Sequence, residues 1–177
     1  MNNIPTGPGG LFDFTVDKST HSVLISKVFE AELSLVWDAF TKPDMLDQWW
    51  APKPLESITK QMNFEEGGSR FYSMVWPDGK EHWGLKKYTL IQPKTKIKWL
   101  SSFSDKDANI NPELPTSEWE LNFSEENGLD GSQRTTLSII IKHKTLADLE
   151  MVIKMGFKEG FSMTINELDN LLPTFNQ

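Results

Sequence analysis

A chain of 177 residues, 38% hydrophobic and 24% charged, is long enough to bury a substantial core and is most simply one domain. Its formal net charge of −7 argues against sequence-independent binding to nucleic acid, which needs a basic face, and no Lys/Arg run supplies one locally. The absence of cysteine excludes disulfides, thiolate metal sites and cysteine nucleophiles, and fits a reducing, cytoplasmic setting.

The opening stretch MNNIPTGPGG is polar and broken by Pro and Gly, without the basic start or apolar run of a signal peptide, and nothing later approaches the length of a membrane span. Residues 1–20 are expected to form a mobile extension leading into a domain over 21–177. Alternation and β-branching over 23–29 predict a strand. Ser34 is placed as the N-cap of a helix carrying Leu35, Val36, Trp37 and Phe40. Lys42-Pro43 ends that helix, and Pro43 suits the first turn of a second, shorter one. There Leu46, Trp49 and Trp50 share a face before Pro52 and Pro54 close the segment. The adjacent indoles admit two readings: core packing at one end of a sheet, or, for one ring, a wall at the mouth of a cavity.

Strands are expected over 58–64, 70–76, 82–91 and 96–103, with a turn at Gly67-Gly68 and a hairpin signal at Asp78-Gly79. Residues 104–116 read as a long polar loop, and 117–123 and 135–143 as two further strands. Thr145 and Asp148 match a capping box. From there Leu146, Leu149, Ile153, Phe157, Phe161, Ile165, Leu168 and Leu172 keep helical period over about seven turns, to a stop at Pro173. The order is α+β: a strand, two short helices, about six antiparallel strands and one long helix, which alone is long enough to cover the sheet's apolar face.

Hairpin register predicts which side chains face that helix. With Asp78-Gly79 as a two-residue loop, Met74 pairs with Trp83, and one face carries Arg70, Tyr72, Met74 and Trp76 opposite Lys87, Leu85, Trp83 and Glu81. Its centre is the more apolar, so it is taken as the inner face. The next hairpin agrees if its loop is odd in length: Ile91 meets Ile97, Thr89 meets Trp99, Lys87 meets Ser101 and Leu85 meets Phe103. Trp119, Leu121 and Phe123 share the inner side with Leu137, Ile139 and Ile141. Trp83, Trp99 and Trp119 thus lie below Phe157 and Phe161 of the long helix. Gly156 and Gly160 cost that helix roughly 1 kcal/mol each against alanine, for the sake either of close backbone packing or of a guest.

Arg70 and Lys87, with Ser101 beside Lys87, form either a cationic anchor for an anionic head group or a pair of charges snorkelling to water. Signals for catalysis are sparse, and no catalytic residue is assigned. His21, His82 and His143 lack metal-ligand spacing, His82 falls on the outer face, and only Glu81 and Tyr72 stand as weak acid–base candidates. No metal or cofactor is implied.

The stretches FEAELSLVWDAFTKPDMLDQWWAPK, GG…M…PDGKEHWG, IQPKTKIKW and GFKEGF…L…LL together resemble the activator of heat-shock-protein ATPase homologue family, within the START-like, polyketide-cyclase-like superfamily. The resemblance covers about residues 23–172. It implies a helix-grip fold, a curved antiparallel sheet of about six to seven strands around a long C-terminal helix, with a cavity between them that takes a small apolar or amphipathic molecule. In such a cavity the predicted inner face makes Trp49, Arg70, Tyr72, Met74, Trp83, Lys87, Trp99, Ser101, Phe103, Trp119, Phe157 and Phe161 the candidate ligand-binding residues. A cyclase- or hydrolase-type enzyme on the same fold and a stress-related, chaperone-contacting module are the alternatives. Arg70, where relatives often carry an apolar residue, and the long loop around DKDANINPELP depart from the family pattern.

Overall fold

The computed structural model describes residues 12–175, together with the backbone of a two-residue strand at Asn2–Asn3. Nine strands follow in chain order: β1 Asn2–Asn3, β2 Phe12–Asp17, β3 Ser22–Phe29, β4 Glu56–Met62, β5 Ser69–Val75, β6 Glu81–Gln92, β7 Lys96–Ser104, β8 Ser117–Asn127 and β9 Gln133–His143. The helices are α1 Leu33–Thr41, α2 Pro43–Trp49, α3 Leu146–Lys154 and α4 Phe157–Phe175. One antiparallel sheet contains all the strands, in the order β1-β2-β3-β9-β8-β7-β6-β5-β4. From β4 to β9 each strand lies beside its successor, and β3 closes the inner ladder against β9. This is the expected α+β arrangement, with α4 lying over the sheet. No helix among the described residues is long and apolar enough to cross a membrane.

The strand count exceeds the expected six to seven because β1 and β2 lie within the segment assigned to the extension. The β2 sequence FDFTVD alternates, and Phe12 and Phe14 are buried, 4% and 3% exposed. It pairs with β3 from Phe12↔Lys27 to Asp17↔Ser22. The mobility expected of the first residues falls largely on 4–11, which lie outside the described residues.

The C-terminal helix is two helices, not one. Gly156 adopts φ +92°, a left-handed conformation that ends α3 as a glycine C-cap does, with its N–H donating to the Ile153 carbonyl at 3.0 Å. The apolar period runs on across this break, which is why Leu149, Ile153, Phe157 and Phe161 read as one stripe. At the start of α3, Thr145 Oγ1 accepts from the Asp148 N–H at 3.0 Å, as the capping pattern predicts. Pro173 does not stop α4, which continues to Phe175. Ser34 is not a cap either. Helix α1 begins at Leu33 behind Glu32, and Ser34 Oγ accepts from Lys94 Nζ at 2.8 Å.

The largest correction concerns β6. The hairpin before it has a three-residue loop, Pro77, Asp78 and Gly79. Trp76 N–H donates to the Lys80 carbonyl at 2.8 Å, Gly79 N–H donates to the Trp76 carbonyl at 2.9 Å, and Gly79 sits at φ +89°. That is a turn completed by a left-handed bulge residue. It sets Met74 opposite His82 and Ser73 opposite Trp83. At the other end β6 pairs with β7 as expected, Ile91↔Ile97, but an irregularity between Tyr88 and Leu90 puts Tyr88 opposite Trp99, Lys86 opposite Ser101 and Gly84 opposite Phe103. A one-residue slip exchanges the faces. The inner face of β6 is therefore His82, Gly84, Lys86 and Tyr88, and the expected Trp83, Leu85 and Lys87 lie on the outer face.

Candidate functional site

A cavity of about 300 Å³ lies between the inner face of β5–β9 and the junction of α3 with α4. Tyr72, Met74, Gly84, Phe103, Trp119 and Ile141 border it from the sheet, and Val152, Gly156, Phe157, Gly160 and Phe161 from the helices. Aromatic faces make most of the wall. Trp99 stacks on Trp119 at 5.3 Å between centroids, Phe157 on Phe161 at 5.4 Å, and Trp119 meets Phe161 edge-on at 5.6 Å. Gly84 lets the Tyr72 ring lie flat on β6, since a Cβ there would stand 2.6 Å from Tyr72 Cζ. Neither helix glycine serves tight backbone packing. Gly156 is needed for its φ, and a Cβ on Gly160 would meet only Pro52 Cγ, at 3.7 Å.

The two adjacent tryptophans part company. Trp49 is core: its Nε1 donates to the Ala39 carbonyl at 2.9 Å and its ring packs on Phe40 at 4.7 Å. Trp50 is cavity wall, meeting Trp119 at 6.0 Å and Phe161 at 6.2 Å. Helix α2, which ends at this pair, is tied to the sheet through Asp47. That carboxylate accepts from Thr59 N–H at 3.0 Å, Thr59 Oγ1 at 2.8 Å, Ser57 Oγ at 3.1 Å and Arg70 Nη2 at 3.1 Å.

The sequence profile described as Activator of Hsp90 ATPase homolog 1-like protein matches residues 30–173, the span that holds α1 to α3, β4 to β9 and all but the last two residues of α4, and so every residue bordering the cavity. The chain belongs to this family. It is 29% identical to a protein from Mycobacterium smegmatis whose crystal structure matches with a TM-score of 0.79, covering 90% of this chain and 95% of that one. A protein from Staphylococcus epidermidis, solved in solution, is 26% identical, with a TM-score of 0.77 and coverage of 90% and 94%. A third, from Arthrobacter aurescens, reaches a TM-score of 0.83 at 24% identity, covering 92% of this chain and 91% of that one, and speaks for the fold alone. A search among curated proteins found no match.

In this Activator of Hsp90 ATPase homolog 1-like chain, Tyr72, Met74, Ser101, Phe103, Trp119, Phe157 and Phe161 border the cavity as the inner-face reading places them. Trp99 stands behind Trp119. Trp83 touches the rim, but its ring stacks on Phe71 at 5.0 Å on the outer face, under Lys60 Nζ. Arg70 is on the inner face but does not border the cavity. It is fully buried beside the cavity, bonded to Asp47, to Ser57 Oγ at 2.9 Å and to Thr59 Oγ1 at 3.1 Å, and its guanidinium lies 4.1 Å from the Tyr72 ring centroid. Lys87 is exposed on the outer face. Glu81 is there too, accepting from Ser73 Oγ at 3.4 Å.

Residues outside the predicted ligand-binding set complete the site. Trp50, Ser117 and His143 border the cavity, with His82 at an exposed edge. Ser117 and His143 were within reach of period-2 alternation, two residues before Trp119 and two after Ile141. His143 is 7% exposed, and neither ring nitrogen has a hydrogen-bond partner among the described residues. Burial pushes its pKa down, with the charge of Asp148 pulling the other way. No cluster of three or more His, Cys, Asp or Glu able to hold a metal occurs among the described residues.

Lys86 occupies the inner position expected of Lys87. It is 2% exposed, its Nζ 3.2 Å from the Trp50 centroid and 4.3 Å from that of Trp99, and it forms no ion pair or hydrogen bond with the described residues. Two desolvated cation–π contacts contribute roughly 2 kcal/mol each, whereas burying an ammonium costs several kcal/mol. Burial wins: together with the nearby Arg70 charge it holds the Lys86 pKa well below the ordinary lysine value. Lys86→Met is therefore expected to raise stability at pH 7 by about 1–2 kcal/mol, the lost cation–π contacts offsetting part of the gain. The unfolded chain keeps its lysine proton up to about pH 10.4, whereas the folded one releases it earlier. Wild-type stability thus rises with pH through that window, and the advantage of the variant shrinks. Urea denaturation at pH 7, 8.5 and 10 measures the convergence.

Proposed function

We propose that this protein holds a small apolar or amphipathic molecule in the cavity between its sheet and α4. One observation carries the reading: a space of about 300 Å³ walled by Trp50, Trp119, Phe157 and Phe161, with a few polar groups along one side. Small-molecule sites span roughly 300–1,000 Å³ with this mix of apolar wall and sparse polar groups. The volume suits one ring system or a medium-length chain rather than a two-tailed lipid.

The test begins with native mass spectrometry of freshly purified protein and extraction of any molecule that travels with it. Returned to stripped protein at about 100 times its Kd, that molecule is expected to raise stability by about 2.7 kcal/mol. Gly160→Leu supplies the control. A Cβ at this position has open space apart from Pro52, so the leucine grows into the cavity and binding is lost while the fold is kept. Empty protein that no apolar compound stabilises, or a Gly160→Leu variant that binds as well as wild type, rules the reading out. Recovery of a molecule chemically altered by incubation with the protein would favour catalysis in the same cavity, with His143 as the group within reach.

A further inference from the structure

The inner face carries a polar row straight across five strands. Arg70 of β5 pairs with Lys86 of β6, Lys86 with Ser101 of β7, Ser101 with Ser117 of β8, and Ser117 with His143 of β9. On one side of this row lies the aromatic pair Trp99 and Trp119, and on the other Gly84 with Phe103. The last three members, Ser101, Ser117 and His143, border the cavity.

Their hydrogen-bonding capacity is largely unspent. Ser117 Oγ accepts from Trp119 Nε1 at 3.0 Å, which leaves its hydroxyl hydrogen to donate elsewhere. Ser101 makes no side-chain hydrogen bond with the described residues. The buried imidazole of His143 has neither nitrogen paired. Buried polar groups ordinarily find partners, so the unpaired imidazole of His143, flanked along one line by the half-buried hydroxyls of Ser117 and Ser101, points to an oxygen-bearing ligand. The charges specify it further. No aspartate or glutamate among the described residues borders the cavity. Arg70 is matched by Asp47, and Lys86, whose backbone is one strand or about 4.8 Å from that of Ser101, forms no ion pair among the described residues. An anion above Ser101 and Ser117 would lie at the end of a row that otherwise carries only basic side chains, and hydroxyl and imidazole donors bind a carboxylate best when its oxygen is ionised.

We infer that Ser101, Ser117 and His143 are the polar end of the cavity and take the carboxylate of a small monocarboxylic acid, whose apolar body lies against Trp119, Phe157 and Phe161. This rests on the binding function proposed above and names the class of ligand.

Two matched pairs of probes test it: decanoate against 1-decanol, and 2-naphthoate against 2-naphthol, each titrated calorimetrically into ligand-stripped protein at pH 7.5. The acid of at least one pair is expected to bind tenfold or more tightly than its alcohol. His143→Leu and, separately, Ser117→Ala should each reduce that preference to threefold or less without abolishing binding of the alcohol. In wild type the His143 ring resonances, assigned by their absence from His143→Leu, should shift with the acid and stay in place with its methyl ester. Two variants keep the test decisive should either fold poorly. Equal binding of acid and alcohol, or an acid preference untouched by both substitutions, overturns the carboxylate assignment and leaves the cavity function standing. Failure of all four probes to bind overturns both.

Discussion

Asp169→Ala is expected to cost about 3–5 kcal/mol of stability, enough to remove much of a typical domain's total. Asp169 lies on α4 and meets Lys27 of β3 at 2.5 Å, with side-chain exposures of 1% and 0%. The pair fastens the covering helix to the sheet from beneath. Burial pushes the Asp169 carboxyl above its ordinary pKa, with Lys27 pulling the other way, which marks how strongly the site is desolvated. Alanine leaves a buried ammonium without this carboxylate, and the cost is the desolvation of that charge more than the lost attraction. The double variant Lys27→Met/Asp169→Leu, which removes both buried charges, should return to within about 1 kcal/mol of wild type or exceed it. A surface pair gives the contrast. Lys53 and Glu167 also join α4 to the body, at 3.2 Å, but the lysine is 71% exposed. Glu167→Ala should change stability by less than about 1 kcal/mol. Urea denaturation followed by tryptophan fluorescence measures all three. If Asp169→Ala costs no more than Glu167→Ala, the buried pair does not hold the helix.

How much of this was legible in the sequence depended on whether a signal was local. Thr145 capping Asp148 N–H, Pro43 in the first turn of α2, and the alternation of Trp119, Leu121 and Phe123 were all readable because each pattern lies within a few residues. The family stretches brought the architecture with them. What could not be read was parity along β6. The PDG loop and the irregularity at Tyr88 each shift register by one, so the two hairpins agreed with each other on the wrong face. Composition could not arbitrate. The outer face carries Trp83 stacked on Phe71, and the inner face carries the buried cations Lys86 and Arg70. The rule that charge faces water fails at the positions where aromatic rings and Asp47 have replaced water. The same failure hid the polar row, since its members come from five strands and align only once register is known.

Asp47→Ala is expected to cost about 2–3 kcal/mol, somewhat less than a fully buried pair because the Asp47 side chain is 29% exposed and water can reach it. Its effect on binding should be the larger consequence. Asp47 gathers Ser57, Thr59 and Arg70 onto α2, and α2 delivers Trp50 to the cavity wall. Trp50 also covers Lys86 Nζ, so a displaced indole would open that amine to solvent and relieve its burial. A wall that can swing loses the preorganisation on which a small apolar ligand depends, and affinity for any cavity ligand is expected to fall tenfold or more, or about 1.4 kcal/mol. Asp47→Asn separates charge from scaffold. Its one oxygen, in the place of Oδ1, still accepts from Ser57 Oγ and Thr59 Oγ1, while the Thr59 N–H bond and the charge on Arg70's partner are lost, so it should lose stability yet keep most of the affinity. Calorimetric titration of both variants with the ligand recovered from wild type decides the matter. Should Asp47→Ala lose stability while binding as tightly as wild type, the tether is not what sets Trp50, and the packing of Trp50 on Trp99, Trp119 and Phe161 alone must fix the wall.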